Sequence, residues 1–469
     1  MEFRISRRRM MQGAGAAAVA QSVEFANAAP AARQWPIEEG PETPKICLGL
    51  GDGGGPLPAS LQPQNQGQAG GGTAGGPPAA GAGAARAANR ASGFGGTLAP
   101  RPETTQTAAT PVGRVAAGNP AAYQRISQLG VTHLIGVSVG GFPWREENVR
   151  GAIQTARDHG LVAYNAMIGI PSTILYGRDG RDKDMELTIA SIQAAGKAGL
   201  PVIEYNFYAH RVVEGYYEQV GRANSGYTGF DYDLEVLVDE NGVIVPGQLR
   251  DESGQLTPET LQGNPNARRI KVRDLPPLAS EGAHSLDEMW NNISYFLKAA
   301  VPAAGKAGVR LALHPNDPPA PISRGSGQIM GSVAGWKHLI GIVDSPANGI
   351  TFDCGVTREM GEDPVEVANY FASRKRINHV HYRNVSVVKP YEKYTELFID
   401  AGVVDMFGVM KALVKNKYAG TIYPEHPRAL DYDRDRGRIP GYPGGGGYGG
   451  VTFSVAYARA MLQAALEAV

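Results

Sequence analysis

Lys306-Ala307-Gly308-Val309-Arg310-Leu311-Ala312-Leu313-His314 is the stretch whose reading decides the fold. A helical pattern runs into Lys306 and Ala307, Gly308 fits a left-handed C-cap, and a short apolar run follows and ends on a histidine. The same phrase recurs at Lys197-Ala198-Gly199, ahead of another short apolar run. Repeated helix-to-strand junctions of this kind are the mark of β-α units wound around a parallel sheet.

Working outward, eight runs read as strands: Lys45 to Leu50, Thr132 to Ser138, Leu161 to Met167, Pro201 to Phe207, Val309 to His314, Gly349 to Cys354, Ile377 to His381 and Gly420 to Glu425. Helical periodicity lies between and after them, at Glu146 to His159, Asp184 to Gly199, Leu286 to Ala307, Pro364 to Arg374, Met406 to Lys415 and Thr452 to Glu467. Eight strands with eight crossovers favour a closed α/β (β/α)8 barrel over an open doubly wound sheet. The barrel domain is expected to span residues 45–469. The polar, turn-rich region from Asp233 to Pro277 reads as an excursion after strand four, not as a second domain.

Residues 53–118 are a Gly, Ala, Pro and Gln tract with almost no apolar periodicity. Such a segment cannot bury enough surface to offset its ordering entropy, so it reads as a long disordered low-complexity insertion after the first strand. Its base leaves from the end of the barrel where catalytic groups gather.

The N-terminus carries a different signal. Ser6 to Arg9 reads as a twin-arginine motif, followed by the Ala-rich run Gly13 to Ala20 and the small-residue site Ala26-Asn27-Ala28. Residues 1–28 are thus expected to be a signal peptide, which places the mature protein in the periplasm or outside the cell. The apolar stretch is too short for a membrane span and Glu24 interrupts it. Lys plus Arg and Asp plus Glu balance at 45 each, a charge balance that argues against a nucleic-acid partner. The two cysteines, Cys47 and Cys354, lie on strands whose ends need not meet, so a disulfide is not expected; Cys47 reads as core.

Catalytic groups of such a barrel sit at the carboxyl ends of its strands. Strand five ends in His314, strand six in Cys354, strand seven in His381 and strand eight in Glu425. Two imidazoles, a thiol and a carboxylate on four successive strands form a metal-ligand set. A lone strand-end histidine is more often a satisfied polar residue, and a lone cysteine more often core; four together change those odds. His379 projects from the same face as His381 and rivals it for its place. His426 and Tyr442, on the loop leaving strand eight, are both capable of proton transfer.

These residues resemble the mannonate dehydratase family within the xylose-isomerase-like TIM barrels. The resemblance rests on Tyr205-Asn206-Phe207, Gly226-Tyr227, Phe230-Asp231-Tyr232-Asp233, Leu313-His314-Pro315-Asn316-Asp317-Pro318-Pro319, Arg376-Ile377, Arg383-Asn384-Val385, Pro424-Glu425-His426 and Pro440-Gly441-Tyr442. It implies a divalent metal, usually Mn2+ although the thiolate suits Zn2+ or Fe2+ as readily, held through His314, Cys354, His381 and Glu425. It further implies His426 and Tyr442 as the acid and base, with Arg383 and Asn206 binding substrate. The implied reaction is dehydration of a D-mannonate-like sugar acid to a 2-keto-3-deoxy acid; an exported sugar isomerase or epimerase of the same barrel group is the second reading. Glu425 stands where the family has aspartate, and the sequence after His426 is not the family's. A homo-oligomer remains open on the sequence.

Overall fold

The computed structural model of the chain describes residues 36–54, 97–98, 120–435 and 443–469. The expected signal peptide, most of the low-complexity tract and Tyr442 therefore lie outside the described residues. Of the tract, Thr97–Leu98 forms a short strand antiparallel to Gln248–Leu249.

The barrel strands are β1 (Lys45–Gly49), β2 (His133–Ile135), β3 in two pieces (Val162–Ala163 and Asn165–Ile168), β4 (Val202–Tyr205), β5 (Arg310–Leu313), β6 (Asn348–Asp353), β7 (Ile377–His381) and β8 (Thr421–Tyr423). All neighbours are parallel, and the ring closes where Lys45 pairs with Thr421 and Cys47 with His133. The break in β3 at Tyr164 has a purpose in the closure: the first piece pairs with β2, the second with β4. All eight expected strands are present.

Helices cover the outside. Leu286–Ala307 starts at a capping box in which Ser285 and Glu288 satisfy each other's backbone, and ends at Gly308 with φ 71°. Arg181–Ala198 ends at Gly199 with φ 89°, so both glycines expected as left-handed caps are such caps. Among the described residues, no helix is long and apolar enough to cross a membrane.

Two loops at the carboxyl ends of strands build an accessory sheet. Strands Tyr216–Val220 and Gly226–Asp231 follow β4, strands Val385–Lys389 and Lys393–Glu396 follow β7, and all four pair antiparallel. A second apolar cluster, including Tyr216, Phe230, Val236, Val272 and Tyr394, packs this sheet and the Asp233 to Pro277 excursion. Glu39–Val469 forms one compact unit.

Candidate metal centre and active site

His314 follows β5 directly and its Nδ1 lies 2.7 Å from the Pro315 carbonyl oxygen. A carbonyl can only accept, so Nδ1 carries the proton and Nε2 presents its lone pair, the form of histidine that binds a metal. Nε2 lies 3.2 Å from Nδ1 of His381, the last residue of β7. Burial, reinforced by neighbouring positive groups, holds both rings neutral, with pKa values lowered to about 4 for His314 and about 3 for His381.

Carboxylates close the group. Glu425 Oε2 is 3.0 Å from His381 Nδ1, and Asp353 Oδ2 is 3.9 Å from the same nitrogen. Asp353, His381 and Glu425 offer ligand atoms within 4.8 Å of one another, and all three are buried. Below them, Glu204 Oε1 lies 3.7 Å from His381 Nε2. Burial first, and then the charge of Glu425, push Glu204 up to about 7 and contribute to raising Asp353 to about 6. Carboxylates crowded this way and facing a bare imidazole nitrogen fit a divalent cation. Asp353, His381 and Glu425 would hold it, with His314 beside them.

Cys354 departs from expectation. β6 ends one residue earlier, at Asp353, and Cys354 opens the short helix Cys354–Glu359. Its Sγ lies 3.3 Å from the Arg383 carbonyl oxygen, its side chain packs in the apolar layer with Phe352, and burial pushes the thiol well up. Asp353 instead faces inward: Oδ1 caps the helix by accepting the Val356 N–H, leaving Oδ2 toward the site. Strand alternation is the signal that could have found it, because Thr351, which bonds Glu204 inside the barrel, and Asp353 share a face that Cys354 does not.

Arg383 departs as well. In place of a substrate clamp, the structure has a fully buried guanidinium ringed by protein carboxylates. Nε is 3.0 Å from Asp353 Oδ2 and 3.2 Å from Glu425 Oε1; NH1 is 2.7 Å from Glu359 and 3.6 Å from Glu396; NH2 is 3.5 Å from Asp317. A Cβ at Gly355 would come within 2.8 Å of Arg383 Cγ, so glycine makes room for this packing. Asn206 follows β4, half-buried, with its amide nitrogen 3.7 Å from Met167 Sδ. His379 turns inward like His381, with its Nδ1 2.9 Å from Thr421 Oγ1, and Glu204, His379 and His381 form a second buried group of ligand-type atoms.

His426 lies directly after Glu425, with Nε2 3.6 Å from Glu425 Oε2 and Nδ1 3.1 Å from Glu396 Oε2. Its φ is 48°, in the left-handed region that costs a residue with a Cβ about 1–2 kcal/mol. Arg428 pins this turn by donating Nε–H to the His426 carbonyl and NH2 to Glu396.

Nitrogen and oxygen donors gathered at the carboxyl ends of strands five to eight define a class, the (β/α)8 barrels with a set of residues that could hold a divalent cation. Residues 115–468 match the family model for D-mannonate dehydratase (UxuA). The chain belongs to the mannonate dehydratase family, a family of hydro-lyases. It is 28% identical over 342 residues to a mannonate dehydratase of Enterococcus faecalis, covering 70% of this chain and 90% of that one. It is 29% identical over 321 residues to one of Streptococcus equi subsp. zooepidemicus, covering 66% and 82%. Among solved structures, mannonate dehydratase from Streptococcus suis serotype 2 superposes with a TM-score of 0.58 at 24% identity, covering 75% of this chain and 93% of that chain, a likeness of fold.

Proposed function

We propose that the protein is a metal-dependent lyase that dehydrates a D-mannonate-like sugar acid to a 2-keto-3-deoxy acid. The observation that carries this reading is the placement of His426 beside the Asp353, His381 and Glu425 group, on a barrel that belongs to the dehydratase family. The reaction removes the proton on the carbon next to the carboxylate and expels the neighbouring hydroxyl as water; the enol left behind tautomerises to the keto acid. A divalent cation bound at the centre supplies the positive charge that lowers the cost of the first step.

The chain's own groups do the rest. His426, whose Nε2 faces the centre, moves a proton between substrate and protein, sharing acid and base work with Tyr442. Asn206, half-buried at the end of β4, binds a substrate hydroxyl. Arg383 holds Asp353 and Glu425 in place from behind. A donor set of two carboxylates and two imidazoles without a thiolate suits a hard cation such as Mn2+ better than Zn2+. We also propose that the twin-arginine segment exports the protein to the periplasm or beyond.

The test is elemental analysis of the purified protein followed by a keto-acid assay on D-mannonate. About one divalent ion per chain with keto acid formed is the expected result. Metal without keto acid would move the function to an isomerase or epimerase, and no metal after reconstitution would overturn the centre.

A further inference from the structure

His426 is gripped from a direction that the barrel does not supply. Glu396 is the last residue of the accessory strand Lys393–Glu396, where it pairs with Thr228 across the sheet. Its Oε2 is 3.1 Å from His426 Nδ1 and 3.0 Å from Arg428 NH2, and both Glu396 and Arg428 are buried. Arg428 in turn binds the His426 carbonyl and Thr228 Oγ1. Ring and backbone of His426 are thereby fixed together, and Nε2 is left pointing toward Glu425.

From this geometry we infer that Glu396 is a positioning residue for the reaction: its carboxylate, 3.1 Å from Nδ1 of His426, favours the proton of the neutral ring on that nitrogen by charge, so that Nε2 is the nitrogen that exchanges protons with substrate. The inference rests on the proposed role of His426. A neutral imidazole holds one proton, and a carboxylate at Nδ1 decides which nitrogen has it. Without that carboxylate the ring is free to take the other tautomer or to turn, and the nitrogen facing the centre no longer accepts a proton. The accessory sheet thus contributes a working part of the site.

The experiment is a double-mutant cycle on turnover of D-mannonate by the metal-loaded full chain. Glu396→Gln keeps the reach of the side chain and removes its charge; Glu396→Asp keeps the charge opposite Arg428 and withdraws it from His426, so it serves where the first variant does not fold. Each is expected to lower kcat about 10- to 100-fold, with KM within about twofold and metal content unchanged. In a His426→Asn background the same substitutions should have no further effect on kcat, because Glu396 acts only through His426. Full additivity in that background, or a loss confined to metal content, overturns the inference and leaves the role of His426 standing. Undiminished turnover in His426→Asn alone overturns both.

Discussion

His314 Nε2 and His381 Nδ1 face each other at 3.2 Å, and the Pro315 carbonyl keeps the proton of His314 on the far side of its ring. One lone pair at least is therefore aimed into the space that Asp353 and Glu425 border. Replacing His381 with Ala is expected to remove the divalent ion, read by elemental analysis. Wild-type protein should gain thermal stability on titration with Mn2+, about 2.7 kcal/mol at a hundredfold excess over Kd, and the variant should gain none. Equal stabilisation of both proteins would sink the assignment.

Asp353 and Cys354 are adjacent, but Asp353 Oδ2 faces the site while Cys354 Sγ lies against the Arg383 carbonyl oxygen, so the two substitutions should separate cleanly. Cys354→Ala is expected to keep the metal and most of the turnover, at a stability cost of about 1 kcal/mol for the lost packing. Asp353→Ala should lose the metal. Metal loss in the cysteine variant with retention in the aspartate variant would return the thiol to the centre.

Arg383 is the buried counter-charge for five carboxylates, and removing one partner of such a network costs about 3–5 kcal/mol. Arg383→Met should therefore lower the denaturant midpoint sharply. A variant of wild-type stability whose KM alone rises would make Arg383 a substrate clamp after all.

Acid stability should report Glu214. Burial pushes this carboxyl up, but His210 at 3.2 Å and Arg324 at 2.8 Å outweigh it and bring it to about 2. A folded-state pKa below the unfolded value gives stability that is present above about pH 4.5 and lost as pH falls toward 2, on the order of 3 kcal/mol in all. Urea midpoints at pH 7, 4 and 3 should fall less steeply for Glu214→Gln than for wild type. Parallel curves would remove Glu214 from the acid limb.

The barrel was readable in the sequence because its signals are local. Lys306-Ala307-Gly308 and Lys197-Ala198-Gly199 end helices within a few residues of the strands that follow, and each strand is a short apolar run. The break at Tyr164 was not readable, since it answers to closure of the ring and not to local pattern. At the site, His314, His381 and Glu425 announced themselves as ligand-type residues at strand ends, and His426 as a proton-transfer group on the loop after strand eight. Asp353 was hidden by Cys354: β6 is buried on both faces, so hydrophobicity does not tell inward from outward positions. Glu396 and Asp317 reach the site through contacts with distant residues, which no short window contains.

The accessory sheet has a consequence for the order in which the protein can be completed. Its strands come from segments about 170 residues apart, Tyr216–Val220 and Lys393–Glu396, and Tyr216 and Tyr394 meet only when both are present. A chain emerging from the ribosome N-terminus first must wait with Tyr216, Phe230 and their neighbours uncovered until the later hairpin arrives. Glu425 and His426 follow within some thirty residues of Glu396. The protein thus cannot complete its site at any earlier length, and its final fifth brings the missing strand pair, Arg383, Glu396 and His426 in quick succession.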